Sequence, residues 1–254
     1  LDALDILKKS ENNTKYKEYA IIAPAIVAQF NYARIEQVIT GMSKLGFFQV
    51  VETAIGADLT LDHEADELKE RGTLTTSCCP SFVKYIQINF PELAKYISDT
   101  PSPMVMAGKL LKALDPTGKV IFVGPCTSKK FEFKSDKAKD FIDCVISFEE
   151  LQAFLDARNI DVSTLPDTAL DNASYYGRIF ARSGGIVEGV TDLAKERGFE
   201  AKPIAMSGLD ECKKQLLMLK VNKSPYNFFE GMACDGGCVN GALCLHHGPK
   251  SLTD

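Results

Sequence analysis

Three short cysteine motifs, far apart in the chain, constrain its fold more than any other feature. They are Thr76-Ser77-Cys78-Cys79-Pro80, Gly124-Pro125-Cys126-Thr127-Ser128-Lys129-Lys130-Phe131-Glu132 and Met232-Ala233-Cys234-Asp235-Gly236-Gly237-Cys238-Val239-Asn240-Gly241. The last sets two thiols four residues apart in a glycine-bearing run whose only charge is Asp235. Thiolates are soft ligands, suited to iron–sulfur clusters or zinc. Glycines let the backbone approach something bulky with no Cβ in the way. A lone CxxxC could also be two structural thiols set side by side by one helical turn. Three separated motifs converge on one cofactor only through the fold, which must then act as a clamp around it.

Cysteine usage points the same way. The chain has eight cysteines, and Leu1 to Glu18 is polar and mixed in charge, unlike a secretion signal. That combination implies a reducing, cytoplasmic setting in which thiols are metal ligands or catalytic groups and not disulfides. Adjacent Cys78 and Cys79 also fit a disulfide framework poorly. Three histidines, His63, His246 and His247, are too few for a zinc hydrolase built on histidine. The net charge of −5 speaks against a nucleic-acid partner. No apolar run reaches membrane-spanning length. A start at Leu1 and not Met suggests a piece of a longer protein.

With 254 residues the chain can bury a sizeable core, as one domain or two lobes. Tyr19 to Ile26 is an apolar run that reads as a buried strand leaving into a loop at Pro24. Apolar residues at Ile35, Val38, Ile39, Met42 and Leu45 predict a helix stopped by Gly46. Phe47 to Thr53 reads as a strand, Thr60 to Arg71 as a charged helix closed by Gly72, and Leu74 to Ser77 as a short strand delivering Cys78 and Cys79. Helices follow at Phe82 to Phe90 and Pro103 to Leu114. Val120 to Val123 is a strong buried strand with Cys126 close behind it, and Phe141 to Ile146 is a further strand. Ser147 with Glu150 forms a capping box for a helix to about Arg158. Asp161 to Ala173 reads as a loop, Ile186 to Arg197 as a helix, Pro203 to Met206 as a last strand and Leu209 to Leu219 as a last helix. Strands alternate with helices, so the class is α/β with mostly parallel sheet. The expected organisation is a single domain over 1–254, with lobes at about 15–115 and 116–233 and a closing segment at 234–254. Each lobe would be a parallel or mixed sheet flanked by helices. In open parallel sheets ligands sit beyond the carboxyl ends of strands, where Cys78 and Cys126 fall.

Taken together, the three motifs resemble the catalytic domain of the [FeFe] hydrogenases, whose patterns are TSCCPxW, MPCxxKxxE and ExMACxxGCxxG. Here they read TSCCPSF (76–82), GPCTSKKFE (124–132) and EGMACDGGCVNG (230–241). Ala23-Pro24, Gly56 to Thr60, Pro91 to Leu93, and Ile179-Phe180 with Gly184-Gly185 extend the similarity over most of the chain. The resemblance implies that Cys79, Cys126, Cys234 and Cys238 hold a [4Fe–4S] cluster at the interface of the lobes. Cys238 would bridge it to a two-iron subcluster carrying CO, cyanide and azadithiolate ligands. Lys129 would donate to a cyanide, Pro24 and Ala25 would line the pocket, and Met232 and Phe180 would shield the subcluster. Gly124 and Met104 stand where the family carries a methionine and a glutamine. Cys78 would move protons at the subcluster, relayed by Glu64, Ser98, Glu67 and Arg71. Glu64 and Glu67 are i, i+3 on one predicted helix and can face the same way.

The implied function is reversible hydrogen oxidation and proton reduction. Implied partners are hydrogen and protons, a ferredoxin-like electron donor or accessory iron–sulfur domain, and maturation proteins. Departures matter. Phe82 replaces the tryptophan, Gly124 the methionine, Ala25 a serine and Met104 the glutamine, and Ala242-Leu243-Cys244 alters a glycine-rich tail. They look similar to the divergent sensory branch of that family. The expectation is that they strip shielding and hydrogen bonds from the subcluster. No N-terminal ferredoxin-like cysteine sets are present.

Other readings stand beside these. Glu64 and Glu67 could be a solvated helix face, Lys129 a surface lysine like Lys130, and Met104 plain core. Cys144, Cys212 and Cys244 read as structural thiols, and His246-His247 as surface. A third class is a non-enzymatic [4Fe–4S] protein similar to the hydrogenase-like assembly factors, which lack the two-iron group.

Overall fold

A computed structural model describes residues 2–170 and 173–246. Among them, seven strands run β1 (Glu18–Ile22), β2 (Gln49–Glu52), β3 (Leu74–Thr75), β4 (Lys119–Val123), β5 (Cys144–Ile146), β6 (Pro203–Ser207) and β7 (Phe228–Met232). They build two sheets, ordered β2-β1-β4-β5 and β3-β7-β6. Every pairing is parallel. Helices between the strands cover the faces, which is why β1 and β7 are buried along their whole length. The α/β class with parallel sheets is therefore what the chain adopts.

The expected division near residue 115 is not how the sheets divide. The first sheet takes β1 and β2 from before that point and β4 and β5 from after it; the second joins β3 to β6 and β7. Parallel pairing needs crossovers, and the crossovers here span the expected boundary.

Helix ends follow local chemistry. The helix Ile35–Leu45 stops at Gly46, whose φ of 114° is left-handed. The helix Phe148–Ala157 starts in the Ser147/Glu150 capping box. The helix expected from Thr60 begins earlier, as Ala54–Arg71. Its small first residues are packing surface: a Cβ on Gly56 would meet the Pro103 carbonyl at 2.1 Å. The strand expected over Phe141 to Ile146 is only Cys144–Ile146, since Phe141 and Ile142 close a turn on Ala138. The loop expected at Asp161 to Ala173 contains a short 3-10 turn, Val162–Thr164, and a helix not expected from sequence follows at Tyr175–Ile179. Pro203–Ser207 is not the last strand. β7, with a glutamate and a glycine among five residues, lacks a strand-like pattern, yet it is the middle strand of its sheet. Among the described residues no helix is long and apolar enough to cross a membrane.

The carboxyl ends of both sheets hold the cysteine motifs. Cys78 and Cys79 follow β3, Cys126 follows β4, and Cys234 and Cys238 follow β7.

Candidate metal centre

Each motif is aimed by what lies next to it. Cys79 precedes Pro80, the first residue of the helix Pro80–Asn89. Proline there costs the helix no hydrogen bond. Phe82, one turn on, is fully buried against the motif at the other end of the chain: a Cβ on Gly231 would meet its ring at 2.2 Å. Glu230 is also fully buried, and accepts the Gly184 and Val187 N–H groups at 2.7 and 2.9 Å. It thereby caps the helix Gly185–Glu196 and anchors the strand that leads into Cys234. Burial pushes its carboxyl up to about 7, against the pull of those N–H groups. At Gly237 φ is 95°, and a Cβ would strike the Ala181 carbonyl at 2.6 Å and the Met232 sulfur at 2.8 Å. This close approach lets Cys238 N–H donate to the Ala181 carbonyl at 2.7 Å, bringing Phe180 and Ala181 beside the cysteine loop.

These segments enclose a cavity of about 80 Å³. Its lining includes Cys78, Cys79, Cys126 and Cys238, with Pro24, Met104, Lys129, Phe180 and Met232. Cys234 stands outside the lining but close to it: burial, together with Cys79 and Cys126, pushes its thiol up to about 11. Cys238 is raised by burial and then by Cys79 and Cys126. Cys79 is raised by burial and by Cys126, while the backbone of Ala233 and Phe82 pulls it down. Cys79, Cys234 and Cys238 packed this way resist ionising unless positive metal charge faces them. A bound metal reverses that balance and takes up thiolates directly. Among the described residues no three His, Cys, Asp or Glu side chains close on a point as one metal ion requires. Four thiolates suit a [4Fe–4S] cluster. The donor set therefore fits a cubane.

Two more groups fit an anionic ligand in the same cavity. Lys129 reaches the lining from the short helix Lys129–Glu132, where its Nζ donates to the Cys78 carbonyl at 3.2 Å and to Glu132 at 2.5 Å. Desolvation pulls the ammonium down, but the charge and hydrogen bond of Glu132 hold it above its usual range. Thr53 also lines the cavity, and its hydroxyl is buried with no hydrogen-bond partner among the described residues.

Two expected lining residues are placed elsewhere. Ala25 is fully buried in the core and does not reach the cavity. Gly124 does not reach it either, because the Phe122 ring fills the adjoining space, where a Cβ at 124 would meet it at 2.5 Å. Phe122 itself lines the cavity. So the glycine does not leave a gap, and the expected loss of shielding at this position is corrected by an aromatic two residues upstream.

Behind Cys78 runs a chain of polar groups. Glu64 is fully buried and accepts the Ser77 N–H at 3.1 Å. Burial pushes its carboxyl up to about 8. Its second oxygen makes no hydrogen bond among the described residues, and the Ser98 hydroxyl donates to Glu67. Glu67 also accepts from Thr100 Oγ1 at 3.2 Å, the Asp99 N–H at 2.9 Å and Arg71 at 3.0 Å. Burial raises its carboxyl, but these donors, Ser98 first, leave it below the usual range. Arg71 is fixed by the carbonyls of Ile97 and Lys95. Glu64 is thus buried and Glu67 half-buried beside Ser98, so the pair is not a fully solvated helix face.

Cys144 lies in β5 and Cys212 in the helix Gly208–Lys220, both buried. Cys244 is buried too, with its thiol on the Val239 carbonyl at 3.3 Å. His246 is exposed, and His247 lies outside the described residues. Phe122, Thr53, Thr100, Glu132 and Glu230 were not legible as site residues. Glu132 and Glu230 alone carried a signal, as the glutamates of the second and third motifs.

Residues 16–242 match the family described as iron only hydrogenase large subunit, C-terminal domain. The chain belongs to that family. Iron hydrogenase 1 of Clostridium pasteurianum is 29% identical to it, over 98% of this chain and 54% of that protein. The periplasmic [Fe] hydrogenase large subunit of Nitratidesulfovibrio vulgaris is 30% identical, over 92% of this chain and 70% of that one. The cytosolic Fe-S cluster assembly factor NAR1 of Kluyveromyces lactis is 36% identical, over 78% of this chain and 58% of its own length. This hydrogenase-family chain thus spans about half the length of several curated relatives. Its fold matches a variant of the [FeFe]-hydrogenase HydA1 from Chlamydomonas reinhardtii, with a TM-score of 0.78 at 22% identity, covering 99% of this chain and 85% of that one. Proteins named as hydrogenases and one named as an Fe-S cluster assembly factor are thus alike similar to this chain.

Proposed function

We propose that this chain is a hydrogenase catalytic domain that interconverts hydrogen with protons and electrons, of the slow, sensory type. The observation that carries this reading is one cavity faced by Cys78, Lys129 and three of the cluster thiols, Cys79, Cys126 and Cys238, with Glu64 and Glu67 behind it. A carrier of a plain cubane has no use for a buried lysine and a carboxylate chain beside its cluster.

In this reading Cys79, Cys126, Cys234 and Cys238 hold the cubane, and Cys238 also holds the two-iron group. Together those groups, when bound, supply the redox centre at which hydrogen is split or formed. Lys129 offers a charge-assisted donor to an anionic ligand there. Met104, Phe180 and Met232 keep water out. The Cys78 thiol stays protonated because it is buried and near Glu64 and other thiols, so it can hold a proton at Sγ and pass it on. Glu64 accepts it, poised near neutrality by burial. Ser98 stands between Glu64 and Glu67, and Arg71 fixes the outer carboxylate. Electrons come from a ferredoxin-like partner or accessory iron–sulfur domain, and maturation proteins supply the two-iron group. Free thiols throughout fit a cytoplasmic location. Met104, which lines the cavity where the family carries a glutamine, supports the sensory assignment.

The second reading, a non-catalytic cluster protein, is favoured by the identity with NAR1. Infrared spectroscopy after maturation with a synthetic two-iron cofactor separates them. The proposal expects CO and cyanide bands that shift under hydrogen, and a loss of turnover of at least about 100-fold in Cys78→Ala with cubane absorbance unchanged. Cubane absorbance without those bands leaves the assembly-factor reading.

A further inference from the structure

The run that carries Cys234 and Cys238 holds one charged side chain, Asp235, directly after the first of its thiols. The backbone around it is pinned. The Gly236 N–H donates to Ser207 Oγ at 2.7 Å, and Asn240 Nδ2 donates to the Asp235 carbonyl at 3.0 Å. The carboxylate has a place of its own. Gly208, first residue of the helix Gly208–Lys220, has a φ of 82°, and a Cβ there would collide with Asp235 Oδ1. The bare Cα at 208 thus lets the carboxylate lie against the helix start, where the helix dipole favours negative charge. The motif that Cys234 and Cys238 share with the hydrogenases leaves position 235 open. The charge is therefore a property of this chain and not of the cluster motif.

A charge in this position acts on Cys234. Burial and the neighbouring thiols do most to disfavour a thiolate there, and Asp235 adds to them. Lys129 acts the other way on different ligands: burial raises Cys79 and Cys238, and Lys129 pulls both down. The ligand set is thus flanked by opposite charges, an anion beside Cys234 and a cation near Cys79 and Cys238. One electron added to a cluster held by four thiolates makes it one unit more negative. A fixed carboxylate next to a ligand opposes that step, and charge around a cluster is one of the terms that set its potential.

We infer that Asp235 is a potential-setting residue of the metal centre: its carboxylate, held against Gly208 beside Cys234, lowers the reduction potential of the cubane. The centre then stays oxidised until a strong reductant fills it. The inference rests on the proposed cubane but not on the two-iron group.

The test is a dithionite redox titration of the chain loaded with the cubane alone, read by electron paramagnetic resonance of the reduced cluster, at low and high salt. Asp235→Asn keeps the size of the side chain and removes its charge. At low salt it should raise the ratio of reduced to oxidised cluster at a fixed potential about threefold, which is about 30 mV for a one-electron couple. The rise should shrink at high salt, because Asp235 is exposed and salt screens it. Asp235→Glu keeps the charge and should titrate close to the wild type. Asp5→Asn, on the helix Asp2–Lys9, should leave the potential unaltered. Asp235→Ser removes the same charge and repeats the reading if the asparagine variant takes up no cluster. The inference is overturned if the neutral variants titrate at the wild-type potential, or if Asp235→Glu or Asp5→Asn shifts it as far as they do. A rise of equal size at both salts overturns it too, since a charge effect on an exposed group is screened. So does a failure of both neutral variants to hold a cluster that the wild type holds, which would make the carboxylate structural. Failure of the wild-type chain to load any cubane would overturn it with the metal-centre reading. The titration uses no two-iron group, so a failed hydrogenase assignment leaves its outcome unchanged.

Discussion

The Glu64 carboxylate accepts the N–H of Ser77 at 3.1 Å, one residue before Cys78. A buried acid is thereby tied to the backbone that aims the thiol, so its protonation and the position of Cys78 are coupled.

That coupling has a pH consequence. Burial lifts the Glu64 carboxyl from 4.5 to about 8. The folded state then binds a proton that the unfolded chain has released over that range. The associated stability is full below about pH 4.5 and is lost as pH rises through about 8. Glu64→Gln should remove this dependence. The wild-type chain should lose on the order of 5 kcal/mol at most, relative to the variant, between those limits. Urea unfolding at a series of pH values measures it, and parallel curves for the two proteins would show that Glu64 titrates normally.

Glu67 carries a different load. It accepts from Ser98, Thr100, Arg71 and the Asp99 backbone. Glu67→Ala strands several of these donors and should cost about 2–3 kcal/mol in urea unfolding. Glu67→Gln retains an acceptor and should cost less. Under the hydrogenase reading both should slow hydrogen turnover while cubane absorbance stays intact.

Most of this site was legible in the chain because its chemistry sits in compact motifs. Cys79, Cys126 and Cys238 are separated by long stretches of sequence, yet each follows a strand, and parallel sheets gather such ends together. The unseen part depends on tertiary contacts. β7 was hidden because Glu230 and Gly231 break the strand pattern, and only the buried cap on the helix Gly185–Glu196 and the Phe82 ring explain those residues. The interleaving of two sheets was hidden as well, since no local pattern tells β3 to pair with β7.

Gly124 and Phe122 test that tertiary dependence directly. A Cβ at 124 would meet the Phe122 ring at 2.5 Å. Gly124→Met should therefore destabilise the chain by about 1–3 kcal/mol through overpacking. Adding Phe122→Val should recover much of it, because the methionine then takes the space the ring vacates. Thermal melts of the single and double variants read this out. Additive losses would mean that the two side chains do not compete for one volume.

Thr53 offers the most local test of what the cavity holds. Its hydroxyl is buried at the lining with no partner among the described residues. Leaving such a group unpaired costs about 1–3 kcal/mol. An acceptor in the cavity would remove that cost, and a cyanide ligand is one. It would also replace the hydroxyl missing at Ala25, whose side chain faces the core. Thr53→Val keeps the shape and deletes the donor. In the chain without cofactor it should be neutral or slightly stabilising in thermal melts. After maturation with the two-iron cofactor it should shift a cyanide band and leave the CO bands nearly in place. A clear loss of stability without cofactor would mean that the hydroxyl already has a partner, such as a bound water, and is not held for the ligand.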